Sequence, residues 1–126
     1  IPVSTGFWHA GLRFEVFPVR HHLPDSAFGL RLPGSFVWTG DTRPIPEYLE
    51  RLAGNSELIA HDCAMVGNPS HTGLADIQRE YSPELQRQLC LYHYASLEDA
   101  KVMRAQGFVV AEQLQALALA LPERAD

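Results

Sequence analysis

The chain has 126 residues, of which 46% are hydrophobic, with a formal net charge of -5 and a pI near 5.6. These values predict one domain with enough apolar residues for a core, and the acidic balance gives no global basic surface for nucleic acid. Cys63 and Cys90 form no CxxC spacing and no apolar run approaches the roughly 20 residues of a bilayer span, so we expect a reduced cytoplasmic protein with no membrane partner.

The sequence of the first part of the chain predicts three strands followed by one helix. Alternating or continuous apolar residues indicate the strands, and Pro33-Gly34 forms a tight turn between the second and the third. A helix follows, because proline and glutamate occupy its first turn and Gly54-Asn55 ends it. The predicted strands are 11–20, 27–32 and 36–39, and the predicted helix is 44–52.

The rest of the chain alternates short strands and helices. Ser96 with Asp99 three positions later is an N-cap pattern, and Gly107 is the corresponding C-cap. This order, with strands first and helix–strand units afterwards, predicts a layered α/β or α+β fold. The predicted strands are 57–60, 90–94, 108–111 and a closing strand at 113–121, and the predicted helices are 74–79, 83–89 and 96–105.

Histidine and aspartate side chains follow several of these strands. The run 36–39 ends at Gly40, which lets the backbone turn sharply before Asp41. If the strands lie in one sheet, their ends meet at a common edge, where histidine and aspartate suit Zn²⁺, Mn²⁺ or Fe. Each residue taken alone is more often a turn or a hydrogen-bonded structural residue. The other residues of this kind are His21, His22, His61, Asp62 and His93, with His71 in a long loop.

The same segments, in the same order, resemble the second half of a metallo-β-lactamase-fold hydrolase. The resemblance is to the branch of the tRNA 3′-processing endonuclease (ribonuclease Z) and related phosphodiesterases. It implies an α/β fold of four layers, αββα, of which this chain forms about one half, a mixed sheet with helices on its outer face. The segments that carry it are Phe17-Pro18-Val19-Arg20-His21, Ala27-Phe28-Gly29-Leu30-Arg31-Leu32, Gly40-Asp41-Thr42, His61-Asp62-Cys63-Ala64, Ser70-His71-Thr72 and Leu91-Tyr92-His93-Tyr94.

The resemblance implies a metal ligand at three positions. His21 corresponds to the third histidine of the first metal site, with His22 as an alternative, and His93 corresponds to the last histidine of the second. Asp41 corresponds to the carboxylate that bridges the two ions. The implied cofactor is therefore a pair of Zn²⁺ ions, with Mn²⁺ or Fe as alternatives, and the implied chemistry is attack by a metal-activated hydroxide.

The resemblance also implies a proton-donating pair. Asp62 stands where the endonucleases carry a glutamate, and His71 stands where they carry a histidine that assists the leaving group or binds the scissile phosphate. A carboxylate behind the imidazole would fix its tautomer. Cys63 is expected to pack in the sheet rather than to bind metal.

One signature of the family, His-x-His-x-Asp-His, is absent from the chain. Two protein ligands per ion fall short of the three that a catalytic zinc site usually has, and half a fold leaves an apolar sheet face open. We therefore expect residues 1–126 to be the carboxyl-terminal half of the domain. The partner is then the missing amino-terminal half, with a homodimer as the expected oligomer.

Two classes of function are consistent with these observations. The first is a metal-dependent hydrolase acting on a small-molecule ester or nucleotide, with RNA as a further substrate. The second is a non-catalytic scaffold or binding module of the same fold with an incomplete metal site. A flavin-binding, di-iron relative is a weaker third, because the chain has no flavodoxin-like segment.

Overall fold

Seven strands lie side by side, in their order along the chain, in the part that the computed structural model describes, residues 6–23, 26–112, 117 and 119. Short helices connect the later strands, and α1 continues into a 3-10 turn at Glu50–Leu52. The strands are β1 Gly6–His9, β2 Leu12–Pro18, β3 Phe28–Leu32, β4 Phe36–Trp38, β5 Leu58–Asp62, β6 Leu89–Tyr92 and β7 Val109–Val110. The helices are α1 Pro46–Leu49, α2 Leu74–Glu80, α3 Pro83–Gln86 and α4 Leu97–Ala105.

The sheet is antiparallel from β1 to β4 and parallel from β4 to β7. Because β2 and β4 are both antiparallel to β3, β2 runs in the same direction as β4, β5 and β6. These four strands therefore end at one edge of the sheet, here called the carboxyl edge. In open α/β sheets, ligands bind at such an edge.

One face of the sheet carries the apolar core. Side chains alternate between faces along each strand, and Val37, Ile59 and Leu91 are fully buried on the same face. They share one hydrophobic cluster with residues of all four helices. The helices therefore cover this face, as the sequence predicted. The helical residues of the cluster include Leu49, Leu74, Ile77, Leu85, Ala100 and Met103.

The opposite face is apolar and only partly covered by the described chain. Trp38 is 47% exposed, and its cross-strand partner Ala60 is half-buried. Leu117 and Leu119 lie across this face and enclose with it an apolar pocket of about 250 Å³. An open apolar sheet face of this kind is unusual for a stable protein surface.

A buried histidine joins β5 to the helices. Because β5 continues through Asp62, His61 points into the core instead of joining the residues at the carboxyl edge. Its Nδ1 donates to the Asp62 carbonyl (2.7 Å) and its Nε2 accepts from the Tyr81 hydroxyl (2.6 Å). The same hydroxyl accepts from the Ile45 amide (2.9 Å). Every hydrogen-bonding group in this chain of contacts is satisfied.

Most of the predicted elements are confirmed, and β1 is the exception. The sequence pattern missed β1 because Phe7 and Trp8 are largely exposed and show no buried face. The strand pairs with β2 through a turn at Ala10 and Gly11, both with positive φ. The predicted cap is confirmed, since the Ser96 hydroxyl accepts from the Asp99 amide. The predicted strand at 113–121 lies outside the described residues, except for Leu117 and Leu119, which are not in a strand.

Tyr81→Phe tests the buried contact. The substitution removes the donor to His61 and the acceptor for Ile45, so we expect the free energy of unfolding to fall by about 1–3 kcal/mol. Burial lowers the pKa of His61 from 6.5 to about 4. The stability that the neutral, buried His61 contributes is therefore present above pH 6.5 and is lost as the pH falls towards about 4. Urea unfolding of the intact protein above and below pH 6.5 measures both effects. Tyr48→Phe, which keeps the stack on Phe17, is the control.

Candidate metal centre

The carboxyl edge brings together the five residues that the resemblance implies as metal ligands or as the proton-donating pair. His21 follows β2, Asp41 follows β4, Asp62 ends β5, His71 lies in the loop after β5, and His93 follows β6. The resulting cluster is continuous, because each member lies near at least one other.

Asp41 lies between two imidazoles. Its Oδ2 is 3.9 Å from His21 Nε2, and its Oδ1 is 3.8 Å from His93 Nε2. These separations are too long for hydrogen bonds and are near twice the ~2.0–2.2 Å of zinc–nitrogen and zinc–oxygen bonds. His21 Nδ1 donates to the Ser70 carbonyl (2.9 Å), so the Nε2 of the neutral ring keeps its lone pair for a ligand.

Asp62 and His71 form a direct pair. His71 Nδ1 lies 2.8 Å from Asp62 Oδ2, and the Thr42 amide donates to the same oxygen at 3.0 Å. Asp62 is completely buried, whereas the His71 side chain is 22% exposed. The carboxylate therefore fixes the histidine with Nδ1 protonated and leaves the lone pair of the neutral ring on Nε2.

His71 occupies the centre of the cluster. Its ring centre is 5.0 Å from that of His21, edge to face, and 5.0 Å from that of His93, nearly parallel. It belongs to both groups of potential metal ligands, in which the ligand atoms lie within 4.8 Å of one another. The groups are His21, Asp41 and His71, and Asp62, His71 and His93.

The cluster fits a divalent cation by its chemistry as well as by its distances. Imidazole and carboxylate groups are the ligands of zinc, manganese and iron in proteins. Asp62 Oδ1 is buried and has no hydrogen-bond partner among the described residues. A buried carboxylate oxygen without a partner is costly, and a nearby cation would compensate it.

The backbone at the site takes left-handed conformations. Gly40, directly before Asp41, has φ 64°, and His22 and His93 have φ 57° and 74°. Such values cost energy for residues other than glycine and cluster at functional sites. His22 contacts the Ser70 hydroxyl through Nδ1 (3.1 Å) and belongs to neither ligand group, so the geometry favours His21 of the two.

Two threonines that the sequence analysis did not single out hold the loops together. The Thr42 hydroxyl accepts from the Arg20 amide (3.0 Å), next to His21. The Thr72 hydroxyl, next to His71, donates to the Thr42 carbonyl (2.5 Å), and both threonines are fully buried. Each directly follows a predicted site residue in the sequence, and this adjacency is the only sequence feature that could have indicated its role.

Arg43 braces the loop that carries His71. Its guanidinium donates to the His71 carbonyl (2.9 Å) and to Asp76 Oδ2 (2.8 Å). Burial alone would raise the pKa of Asp76, but hydrogen bonds from the Gly73 amide, Arg43 and a further arginine lower it. The Asn68 side chain accepts from two loop amides, one of them that of His71. These contacts therefore fix the backbone of the loop at His71 and so restrict the position of its imidazole.

Cys63 packs in the core, as the sequence predicted. It is fully buried, and burial raises the pKa of its thiol to about 12. The thiolate that metal binding requires is therefore disfavoured.

The fold and the site define a class of protein. The structure is similar to a diphosphatase of the PhnP family, with a TM-score of 0.68 and 19% identity over 94% of this chain. It is also similar to the metallo-β-lactamase-fold protein YhfI from Bacillus subtilis, with a TM-score of 0.59 and 12% identity over 85% of this chain. At these identities the likeness shows the fold alone, and the fold is that of the metallo-β-lactamases.

The family follows from the sequence match. The family model described as Anti-Pycsar protein Apyc1 matches residues 2–116, and the chain belongs to this family. No curated protein matches the chain. The chain spans 49% and 50% of the two similar structures, about half of each. Among the described residues, no helix has both the length and the apolar character that a membrane crossing requires.

Arg43→Ala tests whether Arg43 holds the loop that carries His71 in place. The substitution leaves the His71 carbonyl and Asp76 without their shared donor, so we expect the free energy of unfolding to fall by about 1–3 kcal/mol. We also expect faster amide exchange in the loop that carries His71, measured by hydrogen–deuterium exchange. Arg79→Ala, which removes an exposed partner of the same Asp76, is the matched control. Equal exchange in both variants would contradict a bracing role.

Proposed function

We propose that the chain is the carboxyl-terminal half of a metallo-β-lactamase-fold hydrolase that cleaves a phosphodiester or other ester with the help of divalent metal. The observation that carries the proposal is the position of Asp41 between His21 and His93, beside the Asp62–His71 pair. Membership of the Apyc1 family and the metallo-β-lactamase fold support it.

The proposed metal ligands divide between two ions. His21 and Asp41 would hold one, and Asp41 and His93 the other, with Zn²⁺ as the proposed metal and Mn²⁺ or Fe as alternatives. When bound, such ions supply Lewis acidity and lower the pKa of water towards neutrality. Catalytic zinc usually has three protein ligands, so the remaining ones are assigned to a His-x-His-x-Asp-His motif in the amino-terminal half.

The proposed role of His71 is to donate a proton to the leaving oxygen. Its Nδ1–H is held by Asp62, so the proton that it donates would be the second one, carried on Nε2 when the ring is an imidazolium. Asp62 stabilises the charged imidazolium from its buried position and orients the ring.

A small nucleotide phosphodiester is the proposed substrate class. Two adjacent cations suit the negative charge of a phosphate, and the acidic chain offers no general attraction to a long polyanion such as tRNA. One of the similar structures is described as a diphosphatase. RNA ends and non-phosphate esters are therefore placed second.

The proposed partner of the open sheet face is the amino-terminal half of the same domain. The face is apolar around Trp38 and Ala60, and the similar structures are about twice the length that this chain covers. Packing a second sheet on this face would bury the apolar surface. The homodimer predicted from the sequence stays a prediction.

The incomplete ligand set favours one alternative, a non-catalytic scaffold or binding module. Only two proposed ligands per ion come from this chain. An intact protein that is folded but binds no divalent metal would support this alternative and contradict the hydrolase.

Asp41→Asn tests the hydrolase. The substitution removes the carboxylate that both ions would share, so we expect loss of bound metal and a fall in kcat/KM of at least about 100-fold, or about 3 kcal/mol. Elemental analysis and hydrolysis of bis(p-nitrophenyl) phosphate and cyclic nucleotides by the intact protein measure the two effects. Asp99→Asn, in the first turn of α4, is the control.

Trp38→Glu tests the covered face. A charge placed between two packed sheets would be costly, so we expect the urea midpoint of the intact protein to fall sharply. Leu97→Glu introduces the same charge at a side chain that is 73% exposed on α4, and it should change the midpoint little. A similar small change in both variants would show that the face around Trp38 is not covered.

A further inference from the structure

Asp62 has one oxygen that the proposed proton-donating pair does not use. Its Oδ2 is occupied by His71 (2.8 Å) and the Thr42 amide (3.0 Å), whereas Oδ1 is buried without a hydrogen bond. The residue as a whole is completely buried. A carboxylate that serves only His71 would leave this second oxygen uncompensated, which is costly in the interior.

His93 is the group that faces this oxygen. Its Nδ1 lies 3.7 Å from Asp62 Oδ1, and its Nε2 lies 3.8 Å from Asp41 Oδ1. The imidazole thus stands between two carboxylates, with one ring nitrogen towards each. A shift of roughly 1 Å would bring Nδ1 to hydrogen-bond distance of Asp62.

A neutral imidazole has one donor and one acceptor, so the two contacts are complementary. If Nδ1–H donates to Asp62, Nε2 carries the lone pair and faces Asp41, where a metal ion is proposed. Metal-binding histidines commonly donate their other ring N–H to a carboxylate, which fixes the ring and strengthens it as a ligand.

The surrounding geometry supports this arrangement. The rings of His71 and His93 are nearly parallel, at 13°, with their centres 5.0 Å apart, one beside each oxygen of Asp62. The carboxylate itself is held in place by the Thr42 amide. His93 keeps this position at a φ of 74°, which is a strained value for histidine.

We propose that Asp62 is a shared positioning residue, which orients His71 through Oδ2 and the metal ligand His93 through Oδ1. This inference rests on the proposed function and extends it. One buried carboxylate then links the proton donor to the second metal site. A substitution of Asp62 should therefore impair metal binding as well as proton donation.

The first test needs neither metal nor substrate. Nitrogen-15 NMR of the metal-free intact protein reports the tautomer of each histidine, and we expect His93 to be protonated on Nδ1. Asp62→Asn should shift His93 towards the Nε2–H tautomer, and Asp62→Glu should restore the original one. An Nε2–H tautomer of His93 in the unaltered protein would overturn the proposal without any variant.

The second test separates Asp62 from His71. Competition with a chelator measures the zinc affinity of the intact protein, and we expect Asp62→Asn to lower it by about 10–100-fold. His71→Gln removes the proton donor but keeps the Asp62 oxygen that faces His93, so we expect it to lower the zinc affinity less than Asp62→Asn does. Equal zinc affinity in Asp62→Asn and the unaltered protein would overturn the proposal.

The two tests also separate this proposal from the proposed function. If the unaltered protein binds no metal but His93 shows the Nδ1–H tautomer that depends on Asp62, the hydrolase is wrong and the positioning role stands. If the protein binds metal and hydrolyses the diester while the His93 tautomer is the same with and without the Asp62 carboxylate, the positioning role is wrong and the hydrolase stands.

Discussion

The site depends on one buried carboxylate, that of Asp62. A carboxylate wholly removed from water must be compensated by donors, and here the Thr42 amide and His71 share one of its oxygens. Thr42 directly follows Asp41, so the compensation of Asp62 also places the proposed bridging ligand. The loops that carry Asp41 and His71 are in this way both tied to a single buried side chain.

The sheet makes this convergence possible. β2, β4, β5 and β6 run in the same direction and therefore end at one edge. Asp62 is the last residue of β5, and His21, Asp41 and His93 lie in the segments that follow the other three strands. The helices cover the apolar core face of the sheet and leave the loops at the carboxyl edge free for polar groups. Asn68 and Arg43 then hold the one site residue, His71, that no strand positions.

The sequence predicted the candidate metal ligands better than the residues that hold their loops in place. Asp41 and His93 could be found because apolar runs end directly before them, and the resemblance to a known fold gave their order. His61 was counted with the strand-end residues because the pattern could not show that β5 continues to Asp62 and turns His61 inward. Arg43 acts through a backbone carbonyl and an ion pair, and such contacts leave no periodicity in a sequence. β1 was missed because an exposed edge strand needs no apolar alternation.

The central claim is that Asp41 lies between two metal ions, and anomalous diffraction tests it most directly. Crystals of the intact protein grown with zinc, measured on both sides of the zinc absorption edge, would locate each ion without assumptions about activity. The account predicts two anomalous peaks, one beside His21 and Asp41 and the other beside Asp41 and His93. A single ion bound by Asp62, His71 and His93, or no peak at Asp41, would contradict it.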